Sequence, residues 1–181
     1  MALKYPAMTM NRKSLTGRTL WCGPFAIAVI TGLDYDTAYA KLLSDIRRTR
    51  MKSLKRRYKG LSAYRLREML PKVIKGTYEH QIEGLLNKLK VKTKLVYFGG
   101  MRYRPTLITF AREHTRRGRT YILVAGHHWL TMQDGIIYHS HHAPKPVEEM
   151  AKYRMAKVEC YAEVEPLPAA LAEPAALSEA A

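Results

Sequence analysis

The dipeptide Asp134-Gly135 separates two runs, 128–133 (HWLTMQ) and 136–141 (IIYHSH), and Asp-Gly between such runs is a strong signal for a two-residue hairpin. It sets the register as well as the turn. If residue 133 faces 136, then His128 faces His141 and His127 faces His142. Side chains alternate along a strand, so one face carries His128, Leu130, Met132, Ile137, His139 and His141. The other carries His127, Trp129, Thr131, Ile136, Tyr138, Ser140 and His142.

A second segment is as constrained. From Cys22 the run CGPFAIAVIT is apolar on all sides, which predicts a central, buried helix. Pro24 falls in its first turn, where a missing N–H costs little, and Gly32 follows as a C-terminal cap. A further helix starts at an Asp34 or Asp36 cap, with Tyr35, Ala38, Tyr39, Leu42, Leu43 and Ile46 on one face. Residues 61–70, 78–89 and 105–113 also read as helical, and 91–98, 119–126, 128–133, 136–141 and 152–164 as strands. Helices followed by antiparallel strands give an α+β order.

The 181 residues hold one sizeable core but not two. We expect an extended basic arm over 1–20, a domain over 21–164 and a disordered Ala/Pro/Glu-rich tail over 165–181. Neither a membrane-spanning run nor an apolar leader is visible, so no membrane partner is expected. Two cysteines, Cys22 and Cys160, are too few for a disulfide framework or a Cys-based zinc site and suit the reducing cytoplasm.

A thiol at a helix N-terminus is favoured as the nucleophilic thiolate, and backbone N–H groups there can receive a developing oxyanion. Cys22 occupies such a place, although most free cysteines are simply small buried hydrophobes. WCGP also opens the thioredoxin motif, but Phe25 stands where its second cysteine would be, which excludes dithiol chemistry. A cysteine nucleophile needs an imidazole nearby and a third group to orient the ring. His128 is the preferred base because Leu130, Met132 and Ile137 on its face suit a strand packed on the core helix. His127 is the alternative, with Ser140 on the diagonal. Five histidines would also suit a transition metal, but no free carboxylate or thiolate in the hairpin supports one. No cofactor is expected.

The run Cys-Gly-Pro-x-Ala-Ile-Ala with Thr-Gly-x-x-Tyr-Asp-x-Ala-Tyr, and the later Gly-His-x-Trp-Leu leading to Asp-Gly-x-x-Tyr, resemble papain-like cysteine peptidases of the compact bacteriophage type. More distantly they are similar to bacteriocin-processing peptidases. The likeness spans about residues 20–142. It implies a papain-like fold, a peptide or isopeptide substrate, Cys22 as nucleophile, His128 as base and His139 where the family carries Asp or Asn, with His141 as a spare. The family's oxyanion amide has no direct counterpart. Thr16 holds its position, and Asn11 is the nearest amide. A phage-encoded enzyme would work in the host cytoplasm.

Charge points to a second kind of partner. Residues 164–181 hold three Glu and no Lys or Arg, so the net +16 becomes +19 for the rest of the chain. Residues 47–60 carry eight Lys or Arg and no acid, with Arg47, Arg48, Lys55, Arg56 and Arg57 as candidate anion-binding residues. A second cluster comprises Arg102, Arg104, Arg112, Arg116, Arg117 and Arg119. Such a surface attracts nucleic acid or an acidic protein non-specifically. The leading expectation is therefore a cysteine-dependent hydrolase. The rival is an inactive papain-fold protein that binds through its basic face.

Overall fold

The computed structural model describes Leu3 and residues 21–98, 104–151 and 153–165. Apart from Leu3 and Glu165, the expected arm and tail, and with them Asn11 and Thr16, lie outside the described residues, as does Arg102. Helix α1 (Cys22–Thr31) is buried from Gly23 onward and ends at Gly32, whose φ of 72° is the left-handed conformation that glycine adopts at least cost. Asp34 caps α2 (Tyr35–Arg57) by accepting from the Thr37 N–H at 2.9 Å. Helices α3 (Ala63–Glu68) and α4 (Glu79–Lys88) follow, then strand β1 (Val96–Tyr97), α5 (Leu107–Glu113), and strands β2 (Thr120–Ala125), β3 (His128–Gln133), β4 (Ile136–His139), β5 (His142–Pro146) and β6 (Val158–Val164). The fold is α+β: the strands form one antiparallel sheet in the order β1-β6-β2-β3-β4-β5.

Both faces of the sheet are covered. On one face Ile122, Val124, Trp129, Cys160, Ala162 and Val164 pack with α1, α2 and α4. On the other, Tyr121, Leu123, Leu130, Met132, Ile137 and Val158 pack with Phe110 of α5 and with Val147, Met150 and Tyr153. The hairpin has the register expected of its turn, Thr131 opposite Tyr138 and Met132 opposite Ile137, with Asp134 and Gly135 both at positive φ. It stops short of the histidines, however. The chain turns at Ser140 and His141, and His139 pairs with His142 in β5 instead of His128 pairing with His141.

Two strands are shorter than expected. Only Val96–Tyr97 of the 91–98 run pairs, because Val91 N–H closes onto the Leu86 carbonyl and the Asn87 side chain clasps both N–H and C=O of Thr93. In the 152–164 run the turns around Tyr153 and Ala156, held by bonds to the Met150 and Tyr153 carbonyls, delay β6 to Val158.

Helices α2 and α4 are tied by Asp45, which accepts from Arg48 and Lys88. Burial pushes the Asp45 carboxyl up, but these two cations outweigh it and hold it below the usual carboxylate range. A carboxyl lowered on folding stabilises above its ordinary pKa of 3.8 and loses that contribution as pH falls through the depressed value. We expect Asp45→Asn to cost about 0.5–1 kcal/mol in urea unfolding at neutral pH, the size of a partly exposed ion pair. The gap from wild type should close in acid; a constant gap would place the effect elsewhere.

Candidate active site

The start of α1 is held from two sides. Trp21, its N-cap, donates its N–H to the Tyr35 hydroxyl at 2.8 Å, and that hydroxyl is pushed up to about 12, chiefly by burial. It therefore stays protonated and serves as a fixed post for the residue before the cysteine. Gly23 lies against Thr77 so closely that an added Cβ would meet Thr77 Oγ1 at 2.3 Å. The Thr77 carbonyl in turn accepts from Trp129 Nε1 at 3.3 Å. This chain of contacts sets the Cys22 end of α1 at the end of the sheet where β3 begins, on the face that carries Trp129.

Trp21 provides no side-chain cap, and the first helical bond runs from Phe25 N–H to the Trp21 carbonyl. Among the described residues, the N–H groups of Cys22 and Gly23 thus have no helical partner, as at the start of any α-helix.

The two thiols differ sharply. Cys22 is partly exposed, whereas Cys160 is fully buried in β6 and pushed up to about 12 by burial, with Glu79, Glu159 and Glu83 adding to it. We expect iodoacetamide to modify Cys22 and spare Cys160 in the folded protein, read by mass spectrometry of the peptides. Equal modification of both would contradict this packing.

The histidines divide between two environments. The His128 ring sits 5.5 Å from His139, 6.4 Å from His141 and 5.3 Å from Tyr153, in the layer that packs beneath the sheet on the side away from α1. The expectation that the apolar face of His128 meets the core helix is therefore corrected: Leu130, Met132 and Ile137 serve the second core. His139 is fully buried, and its Nδ1 accepts from the His141 N–H at 3.2 Å, which places the ring proton on Nε2. His128 and His139 therefore lie side by side, but on the face of the sheet away from α1. Ser140, also buried, lies in the turn before β5. Among the described residues no group of three or more His, Cys, Asp or Glu is arranged to hold a metal ion.

His127 is placed differently. It occupies the two-residue turn between β2 and β3 with Gly126, at φ values of 63° and 56°. Both φ values are those that a two-residue hairpin turn requires, as at Asp134-Gly135. The His127 side chain is 93% exposed, and Nδ1 lies 3.4 Å from Glu159 Oε1, which also accepts from the His127 backbone N–H at 3.3 Å.

Glu159 reaches this position through a β-bulge. Val124 pairs with Cys160 and Ala125 with Val158, so Glu159 is the extra residue and its carboxylate is turned toward the 126–127 turn. Sequence reading missed Glu159, Thr77 and Tyr35. Glu159 lay in a run read as a plain strand, and only the bulge gives it a role; the other two are brought in by tertiary contacts.

The candidate anion-binding residues Arg47, Arg48, Lys55, Arg56 and Arg57 all lie exposed on the second half of α2. No helix of the described residues is long and apolar enough to cross a membrane. No family model, no curated protein and no solved structure matches this chain.

Proposed function

We propose that this chain is a papain-like, cysteine-dependent hydrolase of peptide or isopeptide bonds, of the compact phage-encoded type, with Cys22 as nucleophile, His127 as general base and then acid, and Glu159 as the group that orients the imidazole. The observation that carries the reading is the Glu159 carboxylate at Nδ1 of His127, on the turn that opens β3, at the end of the sheet to which Trp129 and Thr77 tie the first turn of α1. A carboxylate at Nδ1 fixes the ring and its tautomer and leaves Nε2 for the thiol.

His127 takes the Cys22 proton as the sulfur attacks the substrate carbonyl, and the oxyanion forms against the N–H groups of Cys22 and Gly23. The imidazolium then gives its proton to the departing amine, leaving a thioester on Cys22. Water, deprotonated by His127, attacks that thioester and releases the acid and the free thiol. Both cysteines are unpaired, which suits a reducing cytoplasm.

The test is a comparison of new protein chain termini in cells expressing the wild type and Cys22→Ala. Termini that appear with the wild type alone support the reading; identical terminal proteomes, with both proteins folded and equally abundant, overturn it.

A further inference from the structure

Between residues 46 and 67 the chain carries ten Lys or Arg and no acid. Most of them belong to the second half of α2, where the side chains of Arg47, Arg48, Arg50, Lys52, Lys55, Arg56 and Arg57 are exposed while Leu54 alone is buried. Arg48, Lys52, Lys55 and Arg56 follow the i, i+4, i+7, i+8 spacing and form a stripe turned away from Leu54. Successive turns of that stripe rise about 6 Å. Among the described residues of this stretch, Arg48 alone pairs with an acid, Asp45. Arg48 shares that single carboxylate with Lys88 and its side chain remains 57% exposed, and the remaining cations of the stretch have no acidic partner among the described residues.

Aromatic rings stand among these cations. Tyr64 of α3, the helix packed beside α2, is 70% exposed and lies next to Arg65. The Arg57 guanidinium sits 5.5 Å from the centre of the Tyr58 ring, at the end of α2. An exposed tyrosine on the helix packed beside α2 offers a flat aromatic face that charge attraction alone does not use. It matches the recognition of single-stranded nucleic acid, whose phosphates follow the cations while an unstacked base lies on the aromatic ring. A duplex keeps its base faces stacked inside and leaves such a ring unused.

We infer that the basic half of α2 together with α3 forms a binding surface for single-stranded nucleic acid, with Arg48, Lys52, Lys55 and Arg56 on the phosphates and Tyr64 stacked on a base. The surface is separate from the cysteine site and does not depend on the proposed hydrolysis.

Fluorescence anisotropy of the full chain with a labelled oligo-dT of about 15 nucleotides, within the span of known single-strand sites, tests it. Four phosphate contacts give a log–log salt slope near −3, about a 50-fold loss of affinity between about 50 and 200 mM salt. The variant Lys52→Gln/Lys55→Gln/Arg56→Gln should bind at least about tenfold more weakly. Tyr64→Ala should lose about tenfold on the single strand and nothing on a duplex of the same length, since stacking is lost only where a base is free. Cys22→Ala should bind like the wild type. All these side chains are exposed, and circular dichroism verifies that the variants fold. Poly-glutamate binding as tightly as the oligonucleotide, or Tyr64→Ala leaving single-strand affinity unchanged, would overturn the inference in favour of an unspecific polyanion surface.

Discussion

Cys22→Ala eliminates turnover of a cleaved peptide, with a fall in kcat on the order of 10^4 or more, because removing the nucleophile of a coupled set removes nearly all its covalent catalysis. His127→Ala is expected to fall nearly as far, and the double variant no further than the more severe single one. Non-additivity of that kind marks residues that act as a unit. Glu159→Gln should lose less, about 10^2-fold: the amide oxygen can still accept from Nδ1–H, but it carries no charge to stabilise the imidazolium. His128→Ala leaves turnover within a few fold of the wild type. Steady-state kinetics on a single peptide from the terminus comparison measures all five variants.

The second large effect is on stability. Trp129 is 3% exposed, packed against α1 in the first core, and its Nε1 bond to the Thr77 carbonyl links β3 to the segment that supports Gly23. Trp129→Ala leaves a cavity at that junction and should cost about 3–5 kcal/mol in urea unfolding. Trp129→Phe keeps most of the volume and loses the hydrogen bond, at about 1 kcal/mol. The Phe variant separates packing from positioning. Its loss of activity should exceed what the small drop in folded fraction explains, since Thr77 is freed and the first turn of α1 loses its support.

Much of this fold is legible in local chemistry. The Asp134-Gly135 turn fixes a register that the structure keeps, and Pro24, Gly32 and the Asp34 cap bound two helices where their backbone preferences place them. The end of α2 was harder to read. Its apolar face fades after Ile46, yet the helix continues to Arg57 because Leu54 is buried and basic residues are good helix formers. Strand β5 has no counterpart among the expected strands, since Pro144 and Pro146 weaken a strand signal; it pairs on one side only, at the edge of the sheet, where prolines are tolerated.

The site was legible by residue type but not by face. Alternation divides the residues of β3 and β4 into two sets correctly, but His127, Ser140, His141 and His142 lie outside those two strands. Which set meets α1 depends on what covers each side of the sheet, and here both are covered. The aliphatic neighbours of His128 are therefore equally good as the floor of the second core, built with α5 and Tyr153. His127 carries no such signal, since it sits in a turn and its carboxylate partner arrives from β6 through a bulge about 30 residues away in sequence, a feature that strand patterning does not reveal.

In the proposed mechanism His127, and not His128, serves Cys22. The rate of carboxymethylation of Cys22 by iodoacetamide at near-neutral pH tests it directly in the wild type, His127→Ala and His128→Ala, since this reaction needs no substrate and reports on the thiolate alone. The rate should drop at least about tenfold in His127→Ala and stay unchanged in His128→Ala. A rate unchanged in His127→Ala, or lost in His128→Ala alone, would contradict it.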